Sequence, residues 1–116
     1  MRIEDVTGLV TGANRGLGRS LAGELAKRGA RTVYGGARHP AEVSMAGVTP
    51  AMAGVTPVKL DITDRHDVAG AAQRCSDVNL LINNAAVLAG ASLLAAPTLA
   101  PARHEMETNY FGTLSM

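Results

Sequence analysis

The sequence has few aromatic residues and almost no cysteine. Of its 116 residues 47% are hydrophobic, but only 3% are aromatic, tryptophan is absent and there is one cysteine. A core of Ala, Val, Leu and Ile suits a parallel sheet covered by helices better than an aromatic-rich sandwich, and the length fits at most one small domain. The lone Cys75 excludes an internal disulfide and favours a reducing, cytoplasmic compartment. Its position late in a predicted helix indicates packing rather than reactivity.

The sequence also lacks an excess of charge of one sign. Eleven basic residues stand against ten acidic ones, and no basic stripe or acidic tail points to nucleic acid or a membrane surface as a partner. Glu4 and Asp5 interrupt the apolar region that a signal peptide needs, and the most apolar stretch, 85–96, is too short to span a bilayer. We expect no metal site, because the histidines lack metal-ligand spacing and are predicted to lie on the surface. They are His39, His66 and His104.

The most informative stretch is residues 11–18, which carries glycines at the spacing G-x-x-x-G-x-G. It follows an apolar run and opens a segment with helical periodicity, as a strand-to-helix turn does. One glycine permits the tight turn, another lets the backbone approach phosphates, and the last lets the helix lie close on the sheet. The helix then presents its unpaired N–H groups and positive dipole end to a pyrophosphate. The residues expected to bind a dinucleotide here are Gly12, Asn14, Arg15, Gly16, Leu17 and Gly18.

Apolar runs and helical periodicity alternate along the chain. Strands are predicted over 6–13, 32–36, 55–62 and 78–82. A first helix carries Leu17, Leu21 and Leu25 on one apolar face and ends at Lys27 and Arg28, before Gly29. A second, capped by Thr63 or Asp64, runs to about Cys75, and a last one begins near Ala102, after a loop with Pro97 and Pro101. This alternation predicts an α/β fold with a parallel sheet.

Residues 45–51 are repeated at once by residues 52–58. The copies read MAGVTPA and MAGVTPV, which indicates a tandem duplication of seven residues. Two copies are too few for a repeat architecture. We expect the second copy to enter the third strand and the first to be looped out at the surface, where insertions are tolerated. No function is assigned to it.

Four features now follow one another in order: the loop at 11–18, Asp61-Ile62, Asn83-Asn84-Ala85 and Asn109. Together they resemble the classical short-chain dehydrogenase/reductases, a family of nicotinamide-dependent oxidoreductases, over essentially the whole chain. The resemblance implies a Rossmann-type, doubly wound parallel sheet with strand order 3-2-1-4. It also implies that residues 1–116 form one NAD(P)-binding domain, incomplete in its sheet.

The choice of cofactor rests on two arginines. Dinucleotide folds that prefer NAD place an acidic residue about twenty positions beyond the glycine loop, whereas this chain has Arg38 and no carboxylate there. A guanidinium binds a ribose 2′-phosphate through charge-assisted, bidentate bonds, and Arg15 can reach the same phosphate from the glycine loop. NADP is therefore favoured over NAD, and in the family basic residues at these places resemble the NADP-preferring members. The alternative is that both arginines are solvated surface charges.

The resemblance assigns roles to three further positions. Asp61 would accept from the adenine amino group with the Ile62 backbone alongside, although Asp61 could equally belong to a capping cluster with Thr63 and Asp64. Asn83 and Ala85 would bring their backbone close to the cofactor ribose, while the amide side chains of the Asn-Asn pair tie adjacent strand ends together. The chain departs from the family at Ala86, which replaces a glycine.

Asn109 matches the asparagine that, in the family, interrupts its helix and holds a water of the proton relay. The family's catalytic serine and its Tyr-x-x-x-Lys pair have no counterpart, since the tyrosines are Tyr34 and Tyr110 and the lysines Lys27 and Lys59. We therefore expect an amino-terminal part of a longer, homo-oligomeric enzyme, truncated before these residues. The parent would transfer hydride between NADPH and a small carbonyl or alcohol substrate. The alternatives are a non-catalytic NADP-binding module and a non-functional remnant.

Overall fold

A computed structural model describes residues 1–45, 53–90, 92, 94 and 98–116. The strands are β1 (Thr7–Thr11), β2 (Thr32–Ala37), β3 (Val55–Lys59) and β4 (Leu80–Ile82). The α-helices are α1 (Gly16–Lys27), α2 (Ala41–Met45), α3 (Arg65–Arg74) and α4 (Ala100–Met106). A 3-10 turn covers Ile3–Asp5, and a π-helical segment, Glu107–Gly112, continues α4.

The four strands form one parallel sheet in the order β3-β2-β1-β4, which confirms the predicted Rossmann-type topology. Leu9 of β1 lies between Tyr34 of β2 and Leu81 of β4. All five residues of β1 are buried, as expected of a central strand covered on both faces.

Alternation along the strands divides the core between the two faces of the sheet. On one face Val10 and Val33, both without measurable exposure, pack with Ala22 of α1. On the other face Leu9 and Val58 pack with Ala71 of α3. Helices therefore cover both faces, which is the doubly wound arrangement.

Cys75 belongs to the second of these clusters, where it is 5% exposed. Burial raises the pKa of its thiol, so the group stays protonated and inert. The predicted packing role is confirmed. Among the described residues, none of the helices has both the length and the apolar composition needed to cross a bilayer.

Helix α1 departs from the predicted apolar face at its first turn. Leu17 is 67% exposed, whereas Leu21 and Leu25 pack against the core, so the expectation for Leu17 was wrong. The physical reason is that Gly18 occupies the side of this first turn that packs against Gly12 and Asn84, which leaves Leu17 on the solvent side. The predicted end is confirmed: Lys27 is the last helical residue, and Gly29 has φ +87°.

Several element boundaries also differ from the prediction. β1 stops at Thr11 rather than at residue 13, because Gly12 turns the chain with φ +69°. The connection after β2 contains the short helix α2, which was not predicted, and its Val43 is buried against Gly35. Pro101 lies in the first turn of α4 rather than in a loop, since proline is tolerated there. Pro97 lies outside the described residues.

The second copy of the duplicated heptapeptide enters β3, as predicted. Its last residue, Val58, is 2% exposed and belongs to the core, whereas the first copy has Ala51 at that place. Apart from Met45 at the end of α2, the first copy lies outside the described residues. The two copies therefore differ at Val58, the only fully buried position among the described residues of the second copy.

Candidate cofactor-binding site

A cleft of about 310 Å³ opens at the carboxyl ends of the strands, where ligands of open α/β sheets bind. The glycine loop between β1 and α1 supplies Gly12, Asn14, Arg15 and Gly16. The ends of β2 and β3 supply Ala37, Arg38 and residues 60–63, and the segment after β4 supplies residues 84–87. His104 of α4 and Thr108 of the π-helical segment complete the lining.

The glycine loop has the geometry that its spacing predicts. Gly12 and Gly16 have φ +69° and +56°, and a Cβ at Gly16 would meet nothing within 4 Å, so the backbone faces open space. A Cβ at Gly18 would collide with the Gly12 carbonyl and the Asn84 amide, so this glycine lets α1 approach the sheet closely. No side chain caps the start of α1, so its first N–H groups stay available to an anion.

The loop is fastened to the neighbouring strand by Thr11 and Asn84. The Thr11 hydroxyl accepts hydrogen bonds from the backbone N–H groups of Asn84 and Ala85, both at 2.9 Å. In return, Asn84 Nδ2 donates to the Thr11 carbonyl at 3.0 Å. Asn84, rather than Asn83, is therefore the amide that ties the strand ends together.

Arg15 and Arg38 line the same cleft from the glycine loop and from the end of β2. Both are exposed, and within the described ranges neither guanidinium takes part in an ion pair. Asn14 also lines the cleft, and its Nδ2 donates to Glu42 Oε2 of α2 at 2.8 Å. The two guanidinium groups can thus meet an anion without first breaking a bridge to a carboxylate.

The wall after β3 contains one acidic side chain, that of Asp61. Asp61 Oδ1 accepts from the backbone N–H and the hydroxyl of Thr63, at 2.9 and 2.7 Å. Asp64, not Thr63, caps α3, because its carboxylate accepts from the N–H groups of His66 and Asp67. Asp61 therefore takes part in the local turn and also lines the cleft, while its contact with an adenine stays a prediction.

Asn109 lies in the π-helical segment, which confirms that the last helix is interrupted at this residue. Its Oδ1 accepts from the Val87 N–H at 2.9 Å, and its Nδ2 donates to the Val87 carbonyl at 2.8 Å. One turn earlier, Glu105 accepts from the Ala89 N–H at 2.7 Å. The helix thereby holds the segment after β4 in an extended path along the cleft.

The structure gathers most of the predicted site residues but not all. Those that line the cleft are Gly12, Asn14, Arg15, Gly16, Arg38, Asp61, Ile62 and Ala85. Leu17 and Asn83 are exposed outside the lining, Gly18 is buried beneath the loop, and Asn109 acts through Val87. Their expected contacts with a cofactor stay predictions. Asn84 ties the strand ends together, as predicted for the Asn-Asn pair, and it also lines the cleft, whereas His104 and Thr108 were not predicted to line it.

The residues present fit a dinucleotide phosphate. The backbone at Gly16 is open to a ligand, and the N–H groups at the uncapped start of α1 can donate to an anion. Two guanidinium groups that form no ion pair within the described chain add further donors. The Asp61 carboxylate and the exposed amides after β4 offer acceptors and donors for a base and a ribose. Across the described ranges, no group of three or more His, Cys, Asp or Glu is arranged to hold a metal ion.

The fold and cleft define a Rossmann-type α/β domain, and comparisons with known proteins give its family. The sequence model of the family described as short chain dehydrogenase matches residues 7–116. The chain therefore belongs to the short-chain dehydrogenase/reductase family. It is 40% identical over 95 residues to the short chain dehydrogenase tazN of Aspergillus terreus. It is 36% identical over 107 residues to an L-rhamnose 1-dehydrogenase (NAD(P)(+)) of Azotobacter vinelandii.

A solved structure supports the same assignment. The crystal structure of a short chain dehydrogenase from Burkholderia cenocepacia J2315, in complex with NADP, superposes with a TM-score of 0.88 at 47% identity. The match covers 100% of this chain and 47% of that one. The matches with the Aspergillus and Azotobacter relatives cover 74% and 84% of this chain, but only 20% and 41% of theirs. The chain thus spans less than half the length of these relatives.

Proposed function

We propose that this chain binds NADP and supplies the cofactor-binding part of a short-chain dehydrogenase/reductase. The reaction of the longer protein would transfer hydride between NADPH and a carbonyl or hydroxyl carbon of a small organic molecule. The bound nicotinamide would supply or accept that hydride. The observation that carries the proposal is the convergence of Arg15 and Arg38 on the cleft formed by the glycine loop.

Electrostatics favour NADP over NAD at this cleft. A 2′-phosphate carries charge that a carboxylate at the end of β2 would repel, and the chain has Arg38 there. Two guanidinium groups without ion-pair partners in the described residues can give charge-assisted, bidentate bonds to it. The Burkholderia structure, in complex with NADP, is consistent with this preference.

The remaining residues take roles around these arginines. We assign the glycine loop, with Gly12, Asn14 and Gly16, to the pyrophosphate and its riboses. Asp61 would accept from the adenine amino group, with the Ile62 backbone alongside, and the backbone after β4 would follow the ribose. Asn109 would serve a proton relay in the longer protein. This chain contains no Tyr-x-x-x-Lys, so we expect cofactor binding without carbonyl reduction from residues 1–116 alone.

The proposal is tested by calorimetric binding of NADPH and NADH to the purified chain and to Arg15→Ala, Arg38→Ala and their combination. Loss of a charged hydrogen bond costs about 1.5–3 kcal/mol, so each single change should weaken NADPH about 10- to 100-fold. NADH, which lacks the 2′-phosphate, should change less than about threefold. Arg74→Ala is the matched control, because Arg74 is exposed in the last turn of α3, at the far end of the sheet.

Two results would contradict the proposal. Equal binding of NADPH and NADH, unaffected by either arginine, would make both groups surface charges. If hydrogen exchange shows a protected core, so that the chain is folded, and neither NADPH nor NADH binds, the proposed cofactor is wrong. Binding without turnover by residues 1–116 agrees with the proposal, whereas NADPH-dependent carbonyl reduction would show that these residues carry catalytic groups of their own.

A further inference from the structure

We propose that Asp67 is a positioning residue for adenine recognition: it fixes the backbone of Asp61 so that one carboxylate oxygen of Asp61 faces the cleft. This inference rests on the proposed function, since it concerns how that cleft selects the base of NADP. Asp67 itself does not line the cleft. Its role follows from the contacts it makes beneath the wall after β3.

Asp67 is held from two sides. Lys59, the last residue of β3, donates from Nζ to both carboxylate oxygens of Asp67 at 2.6 Å. Asp67 Oδ2 in turn accepts from the backbone N–H of Asp61 at 3.0 Å. The Asp67 side chain is only 13% exposed, whereas that of Lys59 is 62% exposed. The carboxylate is therefore largely shielded from solvent, and the ammonium group is exposed to it. A fixed acceptor therefore holds the turn immediately after the strand.

The environment keeps Asp67 charged. The Lys59 ammonium and the hydrogen bond from Asp61 hold the pKa of the Asp67 carboxyl below its ordinary value. A charged acceptor makes a stronger bond to a backbone N–H than a neutral one does. The Asp61 backbone is consequently anchored more firmly than an exposed turn would be.

Asp67 fixes the backbone of Asp61, and Thr63 then occupies one oxygen of the Asp61 carboxylate and leaves the other free. Thr63 donates both of its hydrogen bonds to Oδ1, at 2.9 Å from the backbone and 2.7 Å from the hydroxyl. In the described part of the chain, Oδ2 has no partner, and Asp61 lines the cleft. An unpaired carboxylate oxygen accepts from an amino group and repels a carbonyl oxygen. The wall is therefore suited to distinguish adenine from a base that carries an oxo group at the same place.

The test compares NADPH with deamino-NADPH, in which hypoxanthine replaces adenine and an oxo group replaces the amino group. The unmodified chain should bind NADPH about tenfold or more tightly than deamino-NADPH, as expected of one charged hydrogen bond. Asp67→Ala, which removes the acceptor for the Asp61 N–H, should reduce this ratio to about threefold or less. Asp67→Asn keeps an acceptor oxygen and should retain the ratio. A purely structural role would weaken both cofactors equally and leave the ratio unchanged.

Two further variants make the comparison decisive. Asp77→Ala removes an exposed aspartate that accepts from the Tyr34 hydroxyl at 3.1 Å, and it should leave the ratio unchanged. If Asp67→Ala does not fold, the pair Lys59→Met with Asp67→Leu replaces the ion pair by apolar groups, an exchange that proteins often tolerate. In that double variant the preference for NADPH over deamino-NADPH should also fall, because the variant lacks the acceptor.

An unchanged ratio in a folded Asp67→Ala or Lys59→Met/Asp67→Leu variant would overturn the inference. So would a loss of the ratio in Asp67→Asn as large as in Asp67→Ala, or the absence of any adenine preference in the unmodified chain. In each of these cases NADPH binding itself can persist, which leaves the proposed function standing. Failure of the unmodified chain to bind NADPH would instead remove the proposed function.

Discussion

The two walls of the cleft are built by opposite means. The glycine-loop wall takes its shape from missing side chains: Gly12 and Gly16 turn with positive φ, and Gly18 lets α1 touch the sheet. The wall after β3 takes its shape from side chains, with Lys59 and Asp67 bracing the turn. In the proposed function, the first wall would present backbone N–H groups to phosphate, which requires close approach. The second would present a carboxylate to a base, which requires a fixed direction.

The difference predicts what each wall will tolerate. Backbone shape is lost when any Cβ enters, whereas a hydrogen-bonded turn is lost only when a donor or an acceptor is removed. The bonds that fasten the glycine loop, from Thr11 and Asn84, involve no titratable group. The wall after β3 depends on two charges. Substitution by larger residues should therefore damage the first wall, and removal of the Asp67 acceptor the second.

The largest effect is expected from Gly18→Ala. The added methyl group would collide with the Gly12 carbonyl and the Asn84 amide, so overpacking should lower the free energy of unfolding by about 1–3 kcal/mol. Gly70→Ala is the matched control, because a Cβ there meets nothing within 4 Å in the exposed middle of α3. It should raise stability by about 0.5–1 kcal/mol. Urea unfolding followed by circular dichroism measures both changes.

Opposite signs for these two substitutions would confirm that close helix approach, and not helix propensity, sets the requirement for glycine at position 18. Equal gains in stability would contradict the description of the glycine-loop wall. NADPH binding adds a second readout, since only Gly18→Ala should weaken it.

The glycine-loop wall was largely predictable from the sequence, and the other wall was not. Glycine spacing reports directly on backbone shape, so the roles of Gly12, Gly16 and Gly18 could be anticipated. The ion pair between Lys59 and Asp67 could not be predicted from the sequence, because it depends on how many residues separate the end of β3 from the start of α3. Sequence reasoning placed that end at residue 62, whereas β3 stops at Lys59. An error of three residues in this strand end changes which side chains are expected to be in contact.

The second copy of the heptapeptide offers a test of the strand that carries the second wall. Deletion of residues 46–52 leaves MAGVTPV before Lys59, while deletion of 52–58 leaves MAGVTPA. The two products have the same length and differ only by valine or alanine at the buried place of Val58. The second product should be less stable by about 2 kcal/mol, because it loses two methyl groups from the core. Thermal and urea unfolding of the pair measures this difference.

The first product also tests whether the duplication matters to the cleft. Its shorter connection between α2 and β3 lowers the entropic cost of closing this loop on folding. The free energy of unfolding should therefore rise by up to about 1 kcal/mol. NADPH affinity should stay within about threefold of the unmodified chain, because the deletion leaves every described residue that lines the cleft in place. A large loss of binding would show that the first copy takes part in the site.

The smallest effect is expected from pH, and it should act on the second wall alone. Lys59 and the Asp61 N–H lower the pKa of Asp67 in the folded protein, so folding is stabilised above the unfolded value of about 3.9. That contribution is lost as pH falls through the lowered, folded pKa. In urea unfolding between pH 2 and 6, Asp67→Asn should be less stable than the unmodified chain at pH 6, and the difference should shrink as the pH falls toward 2.

Glu24 is the control for this acid dependence. Arg28 lowers the pKa of Glu24 too, but this i,i+4 pair is exposed, with side-chain accessibilities of 48% and 68%. Water and salt screen such a pair, so Glu24→Gln should change stability at pH 6 only slightly, and less than Asp67→Asn does. Asp67 is enclosed and also holds the Asp61 backbone, so its substitution should cost more. Equal effects for the two carboxylates would mean that Lys59 and Asp67 form only another surface pair and do not brace the wall.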